Sequence, residues 1–362
     1  MLEQLAEAFE RKDYKTAAWL LNHLVKQMPQ NPLVQFYVGR LYEETGKLEA
    51  AENAYRQLLR ETTNPKIMTQ TRQGLGRLEA IAQQKRRDAI AQATASPEDT
   101  EAGVLVLEAV SAEKKPVAAQ QLARIVQLDP YTARLQLPSR GWRLYRTGPV
   151  GELRFYSQQM QQAEIPNFWA SLADVRKLNV FRVSHFLSAS PQASVVCQNE
   201  HGQIGSLTFN WSEVRQQVQG LLPIFGEVID QDARRQLQWK TQTQDYAQLI
   251  DLHLPSRRSI LRLCDSNYQF GQGISFNPQQ PTQANQATNR SNWNNLLHFL
   301  EQHLAQTPIW ADFTDFAQTA LDRTEMLKSL KSHIDLFRRE ETLWDPTFQL
   351  YSGLVFLRGS KN

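Results

Sequence analysis

Cysteine is nearly missing from this chain: 362 residues carry two, Cys197 and Cys264. Two thiols cannot build a disulfide framework or a four-cysteine zinc site. Both stand in apolar strand contexts, where an inert core thiol is the expected role. Long apolar runs are missing too. No window approaches 18 uninterrupted apolar residues, which argues against a membrane-spanning helix and against membrane insertion. Neither sign of charge dominates, since 40 basic and 37 acidic side chains leave +3. That balance speaks against a large nucleic-acid footprint. The opening stretch MLEQLAEAFERKDYK lacks the basic-then-apolar layout of a secretory signal, so a soluble cytoplasmic protein is expected.

The standard catalytic patterns are absent as well. There is no GxxxxGK[ST] loop, no HExxH and no GxSxG elbow, and Gly74-Leu75-Gly76 lacks the third glycine of a dinucleotide fingerprint. His298 and His303 share a helical stretch, but their spacing turns them roughly 140° apart. His185, His201 and His253 fall on or between different strands, so no metal site, cofactor or catalytic residue is expected. Gly148-Pro149-Val150-Gly151 precedes a helix, where amides can hold an anion, but a plain glycine-rich turn into the helix is the expected role.

What is present is a repeat. At an offset of 34, the segment around Ala17, Leu21, Leu24 and Pro29 superposes on Ala51, Tyr55, Leu58 and Thr63. In the second copy Gly39 and Ala51 let two antiparallel helices approach, and Gly46 suits the turn between them. Val38, Leu41, Tyr42, Tyr55 and Leu58 supply an apolar seam. These residues resemble the tetratricopeptide-repeat (TPR) family, helix–turn–helix units stacked into a superhelix. The resemblance covers residues 1–94. The first copy has Lys12 where the turn glycine should be; in a third, Gln73, Gly76 and Lys85 stand where glycine, tyrosine and alanine belong. Residues 66–94 then read as a capping helix with a polar outer face.

After a linker-like TASPEDTEA at 94–102, the period changes. The apolar run 103–110 reads as a buried central strand, Pro116 opens a helix, and Trp142–Arg146 is a strand. A helix over Glu152–Ala163 and a strand at Phe168–Leu172 or Leu178–Phe186 complete a small α/β sandwich over 103–187. Its element order resembles the carboxy-terminal domain of the ribosomal stalk protein, which docks translation factors; as a topology analogy this carries no function. Residues 188–362 read as a β-rich domain with C-terminal helices. Strands are expected at Ala193–Gln198, Ile204–Asn210, Leu237–Thr241, Tyr246–Leu254 and Ile260–Asp265. Helices are expected at Ser212–Gly220, Asn292–Ala305 and Asp312–Phe337, and a last strand at Phe348–Leu357. A Gln/Asn/Pro/Thr tract over 272–292 reads as a flexible loop. The fold class is therefore α+β and multidomain.

The TPR resemblance implies a concave surface that receives a protein. Carried onto the second copy, its positions are Leu33, Phe36, Tyr37, Arg40, Glu43 and Glu44, apolar anchors with orienting charges. A second, basic patch is possible in composition at Arg140, Trp142, Arg143 and Arg146, where arginine interleaved with aromatics suits RNA or an acidic peptide. The same alternation also describes a strand with one solvated face. The expected function is a non-enzymatic adaptor or assembly factor that binds a protein. The alternatives are a small-ligand sensor and, less supported by the net charge, an RNA- or translation-associated binder.

Overall fold

Two compact units make up the chain, Met1–Gln92 and Ala93–Asn362. A computed structural model describes residues 1–231, 237–276, 288–336 and 342–359.

The first unit is helical throughout. Helix α1 (Leu2–Glu10) turns into α2 (Tyr14–Gln27), whose N-terminus is capped by Asp13 accepting from the Thr16 amide at 3.1 Å. Helix α3 (Pro32–Glu44) starts on an Asn31 cap with proline in its first turn, and α4 (Leu48–Glu61) follows. Both hairpin turns use left-handed backbone, at Lys12 (φ 58°) and Gly46 (φ 77°). Lysine therefore adopts, in the first copy, the conformation that glycine supplies in the second. Helix α5 (Pro65–Ala93) begins the third repeat copy. The Tyr55 ring lies between Gly39 and Gly74, where a Cβ would stand 2.5 and 2.7 Å from ring carbons. The third copy thus keeps its close-approach glycine at an offset of 35, not 34. Reading Gln73 into that place missed it by one residue. From Ile81 onward α5 is mostly exposed, which fits the polar outer face expected of a cap.

In the second unit, a 3₁₀ turn at Pro97–Thr100 leads into β1 (Ala102–Glu108). Helices α6 (Lys115–Val126) and α7 (Pro130–Gln136), strand β2 (Trp142–Pro149), helix α8 (Val150–Gln162) and strand β3 (Asn167–Ser171) follow. They form an antiparallel three-stranded sheet, β2-β1-β3, with β1 central and fully buried over Val104–Leu107. After the short helix α9 (Leu172–Arg176), the chain enters a larger sheet. Its strands are β4 (Asn179–Ser188), β5 (Ala193–Gln198), β6 (Ile204–Phe209), β7 (Gln216–Gln231), β8 (Leu237–Leu254) and β9 (Ser259–Cys264). Helix α10 (Asn289–His303), β10 (Ile309–Trp310), α11 (Phe313–Ala320), α12 (Thr324–Lys328) and α13 (Trp344–Gly359) complete the unit. The seven strands are ordered β10-β7-β8-β9-β4-β5-β6.

Strand alternation divides this sheet's two faces. Ile250, Leu252, Leu254, Leu261 and Leu263 point to a core closed by Trp293, Leu296 and Leu300 of α10. The opposite face joins β1–β3, α11 and α13 in a second core containing Val218, Leu222, Trp142, Phe316, Phe348 and Tyr351. A boundary at 187/188 therefore does not separate two bodies. Strand β4 pairs with β5 and β9 in the larger sheet, and one core spans both sheets.

Four of the expectations differ. Ser212–Gly220 is no helix: a 3₁₀ turn at Trp211–Glu213 gives way to β7. Val218 and Leu222, four apart, satisfy a period of 2 as well as 3.6. Asp312–Phe337 is not continuous, because α11 ends at Ala320 and α12 is only five residues long. Phe348–Leu357 is helix, not strand. Pro346–Phe356 is buried without a polar face, and a short apolar run with no period reads alike in a strand and in an enclosed helix. The expected strands Leu237–Thr241 and Tyr246–Leu254 are one strand, β8. Of the 272–292 tract, residues 277–287 lie outside the described residues, and Thr288 caps α10.

Candidate protein-binding surface

The six positions carried from the repeat pattern all lie on α3, but they do not form one open face. Phe36 is 6% exposed and belongs to the core with Ala51, Tyr55, Leu58 and Ile67. Glu43 is also enclosed, with its side chain 8% exposed. It accepts from Tyr55 Oη at 2.8 Å and, bidentately, from Arg77 Nε and Nη2 at 2.7 and 2.9 Å. That ion pair ties α3 to α5 and holds Arg77 more firmly protonated, chiefly through its hydrogen bond to the carboxylate. Burial, with the Glu43 hydrogen bond second, pushes the Tyr55 phenol far up, so it stays a neutral donor. Phe36 and Glu43 are packing residues, and the expectation that they line a groove is corrected.

The other four remain reachable. Leu33, Tyr37 and Arg40 are half-buried and Glu44 is exposed. Tyr37 stacks on Phe9 at 5.1 Å, Arg40 lies over the same ring at 5.1 Å, and Glu44 accepts from Tyr14 at 2.7 Å. Phe9, Tyr14 and Arg77, missed in the sequence, hold this face in place. The signal for them was weak, because each lies in a repeat copy that departs from the pattern.

The basic patch does not assemble. Trp142 is 5% exposed, with Phe168, Trp310 and Tyr351 rings 4.7, 4.9 and 5.8 Å away. Strand alternation sends Trp142 and Leu144 into the core and leaves Arg143 half-buried on the other side. Arg140 pairs with Asp315 at 2.8 Å; Arg146 pairs with Glu152 at 2.6 Å and lies over Tyr156. The arginines are thus separated from the aromatic meant to stack a base. The Gly148–Gly151 turn is filled as well: Val150 N donates to Glu101 O at 2.8 Å, and a Cβ on Gly151 would meet Ala93 O at 2.0 Å.

One cluster has the composition of a hydrolase triad and the wrong wiring. Register places Gln216 opposite His253 and Asp251 opposite Arg262, all on the sheet face under α13, which adds Ser352. Gln216 Nε2 donates to Val355 O at 2.8 Å and lies 3.0 Å from His253 Nδ1, which must then accept. The imidazole proton therefore sits on Nε2, 2.9 Å from Ser352 Oγ, and Ser352 donates onward to Asp251 Oδ2 at 2.5 Å. Arg262 closes the chain with bonds of 2.8 and 2.7 Å to the same carboxylate. A nucleophilic serine would donate to its histidine; this one accepts from it. Asp251, His253 and Ser352 have no exposed surface. Burial drives the His253 pKa down to about 4, so the ring is neutral. The cluster is a satisfied buried network, not a reactive one. The two cysteines agree with the expected core role, since burial pushes both thiols up to about 11.

A family model for the tetratricopeptide repeat matches residues 8–67. No curated protein and no solved structure matches the chain, so the likeness to the stalk domain rests on element order alone. The N-terminal region is TPR-like, its consecutive helix hairpins coinciding with the match. Among the described residues, no helix is long and apolar enough to cross a membrane.

Proposed function

We propose that this protein is a non-enzymatic adaptor whose N-terminal repeats capture a protein partner. The observation that carries the reading is the repeat itself. Residues 8–67 match a family of protein-interaction modules, and the α3 face offers Leu33, Tyr37, Arg40 and Glu44 on a rigid hairpin. An apolar and aromatic anchor flanked by opposite charges suits a peptide or helix of a partner. The second unit adds a surface of its own: on α6 and α7, Val117, Tyr131 and Leu135 are 63%, 73% and 59% exposed. Two separate interaction surfaces on one chain are what an adaptor requires.

Because Phe36 is structural, its truncation would confuse binding with folding. The informative variant is Arg40→Glu with Glu44→Lys in the full chain, compared with wild type by affinity capture. At least one specific partner should fall by about tenfold or more, equivalent to roughly 1.4 kcal/mol, while the unfolding midpoint stays close to wild type. Equal recovery of every partner by a folded variant would reject the α3 face.

A further inference from the structure

Against β4 and β5, interior strands of the large sheet, lies a cleft of about 650 Å³ that the repeat surface does not use. Sites for small molecules commonly span about 300–1,000 Å³. Its wall is built, not incidental. A β-bulge at Ser184 breaks the β4–β5 register between Val183 and His185, and such bulges re-aim side chains. The segment after β9 is laced onto the bulged stretch. Gln269 N donates to Ser184 O at 2.9 Å, Tyr268 Oη accepts from Phe186 N at 2.9 Å, and Ile274 N donates to Phe186 O at 2.9 Å. Gly273 (φ 70°) makes this possible, because a Cβ there would stand 1.9 Å from Phe186 O and 2.8 Å from the His185 ring. His185 lines the cleft at 7% exposure. Its Nδ1 lies 3.2 Å from Ser184 Oγ, and its Nε2 has no partner among the described residues.

The charges in the lining narrow the ligand. They are one guanidinium, Arg182, and one carboxylate, Asp335; carboxamides of Gln198 and Gln269 supply paired donors and acceptors. Arg182 Nη2 donates to Gln198 Oε1 at 2.6 Å, which orients the fork. Its other arm meets Asp335 at 3.4 Å, and that carboxylate is 76% exposed. An exposed pair of this kind contributes about 0–1 kcal/mol, so an incoming carboxylate can replace Asp335 at little cost. A phosphate-bearing ligand would find a single cation opposed by an anion. A zwitterion finds both of its charges matched.

We propose that this cleft binds a small zwitterion of the free amino-acid class, its carboxylate on Arg182 and its ammonium on Asp335. His185 Nε2 and the Gln269 amide are positioned to meet a polar side group. The test uses the full chain, in thermal-shift measurements with each of the common amino acids at about 10 mM; a ligand at 100 times its dissociation constant adds about 2.7 kcal/mol. One or a few amino acids should raise the midpoint, and their deaminated and decarboxylated analogues should bind at least about tenfold more weakly. Arg182→Ala should lose the shift, and Asp335→Asn should lose the preference for the amino acid over its deaminated analogue. Should Arg182→Ala fail to fold, Gln269→Ala and Asp335→Asn carry the test, because neither residue is buried in the core. No shift with any amino acid, equal binding of the deaminated analogue, or full binding by a folded Arg182→Ala would each overturn the proposal. None of these readings involves partner capture, so failure here leaves the repeat surface untouched.

Discussion

Two buried tyrosine and histidine environments show how differently the two units are held together. In the repeat unit, Tyr55 fits a slot between two glycines, and its hydroxyl reaches a carboxylate that is itself tied to Arg77. Every partner comes from α3 of the same hairpin or from α5, the next helix along, so the contacts repeat with the sequence. In the larger unit, His253 is held by residues 37 and 99 positions away, and the Asp251–Arg262 pair depends on strand register and on α13 as a lid. The first arrangement fails locally when a shape changes. The second fails as a whole when one charge loses its partner. Small residues at fixed spacing and polar groups at fixed register are thus two routes to a unique packing.

The largest effect should come from unpairing the buried charge. Arg262→Ala leaves Asp251 without its counter-ion at a site with no exposure, which costs about 3–5 kcal/mol. Denaturant unfolding of the full chain should show that loss, and hydrogen exchange should place it in β7–β9 and α13. Replacing Asp251 and Arg262 together by leucine and methionine should recover much of it. A small single-variant effect would show that water reaches the network, and the contrast between the units would collapse.

Acid should separate the units next. His253, held near 4 by burial, titrates near 6.5 when unfolded. Between those values the unfolded state binds the extra proton, so this contribution is complete above about pH 6.5 and is lost as pH falls through about 4. His333, also lowered to about 4 by burial, adds a second proton in the same window. The loss at pH 4 is on the order of 3 kcal/mol for the fully buried His253 and smaller for His333, whose ring is partly open to screening by solvent. Hydrogen exchange at pH 5 against pH 7, corrected for intrinsic rates, should weaken protection in β8 and α13 more than in α3 and α4. His253→Gln should remove one of the two protons from the slope. Equal weakening in both units would break the comparison.

The smallest expected change tests the glycine slot. Gly39→Ala gains about 1 kcal/mol of helix propensity, but its Cβ would lie 2.5 Å from a Tyr55 ring carbon. Overpacking of a fixed aromatic costs about 1–3 kcal/mol, so a net destabilisation of about 1 kcal/mol is expected. Loss of exchange protection confined to α3–α5 is the check. A stabilised Gly39→Ala chain would mean that Tyr55 moves freely, and the slot would then specify nothing.

Much of this architecture could be read from local signals. The second repeat announced its hairpin, Pro116 opened α6, and the run 103–110 contained the central strand β1. Caps and periods are set within a few residues, so the sequence by itself determined these elements and the order in which they follow. The remainder was decided elsewhere in the chain. Phe348–Leu357 is helical because cores close around it from every side, and Trp142 leaves its arginines because β2 has an inner face to fill. Asp251 and His253 are polar residues in a largely apolar stretch, and only strand register sets Arg262 and Gln216 opposite them. Register and enclosure join residues tens to hundreds of positions apart. The free energy of burying a polar or charged group depends on what stands across from it, which only the tertiary structure supplies.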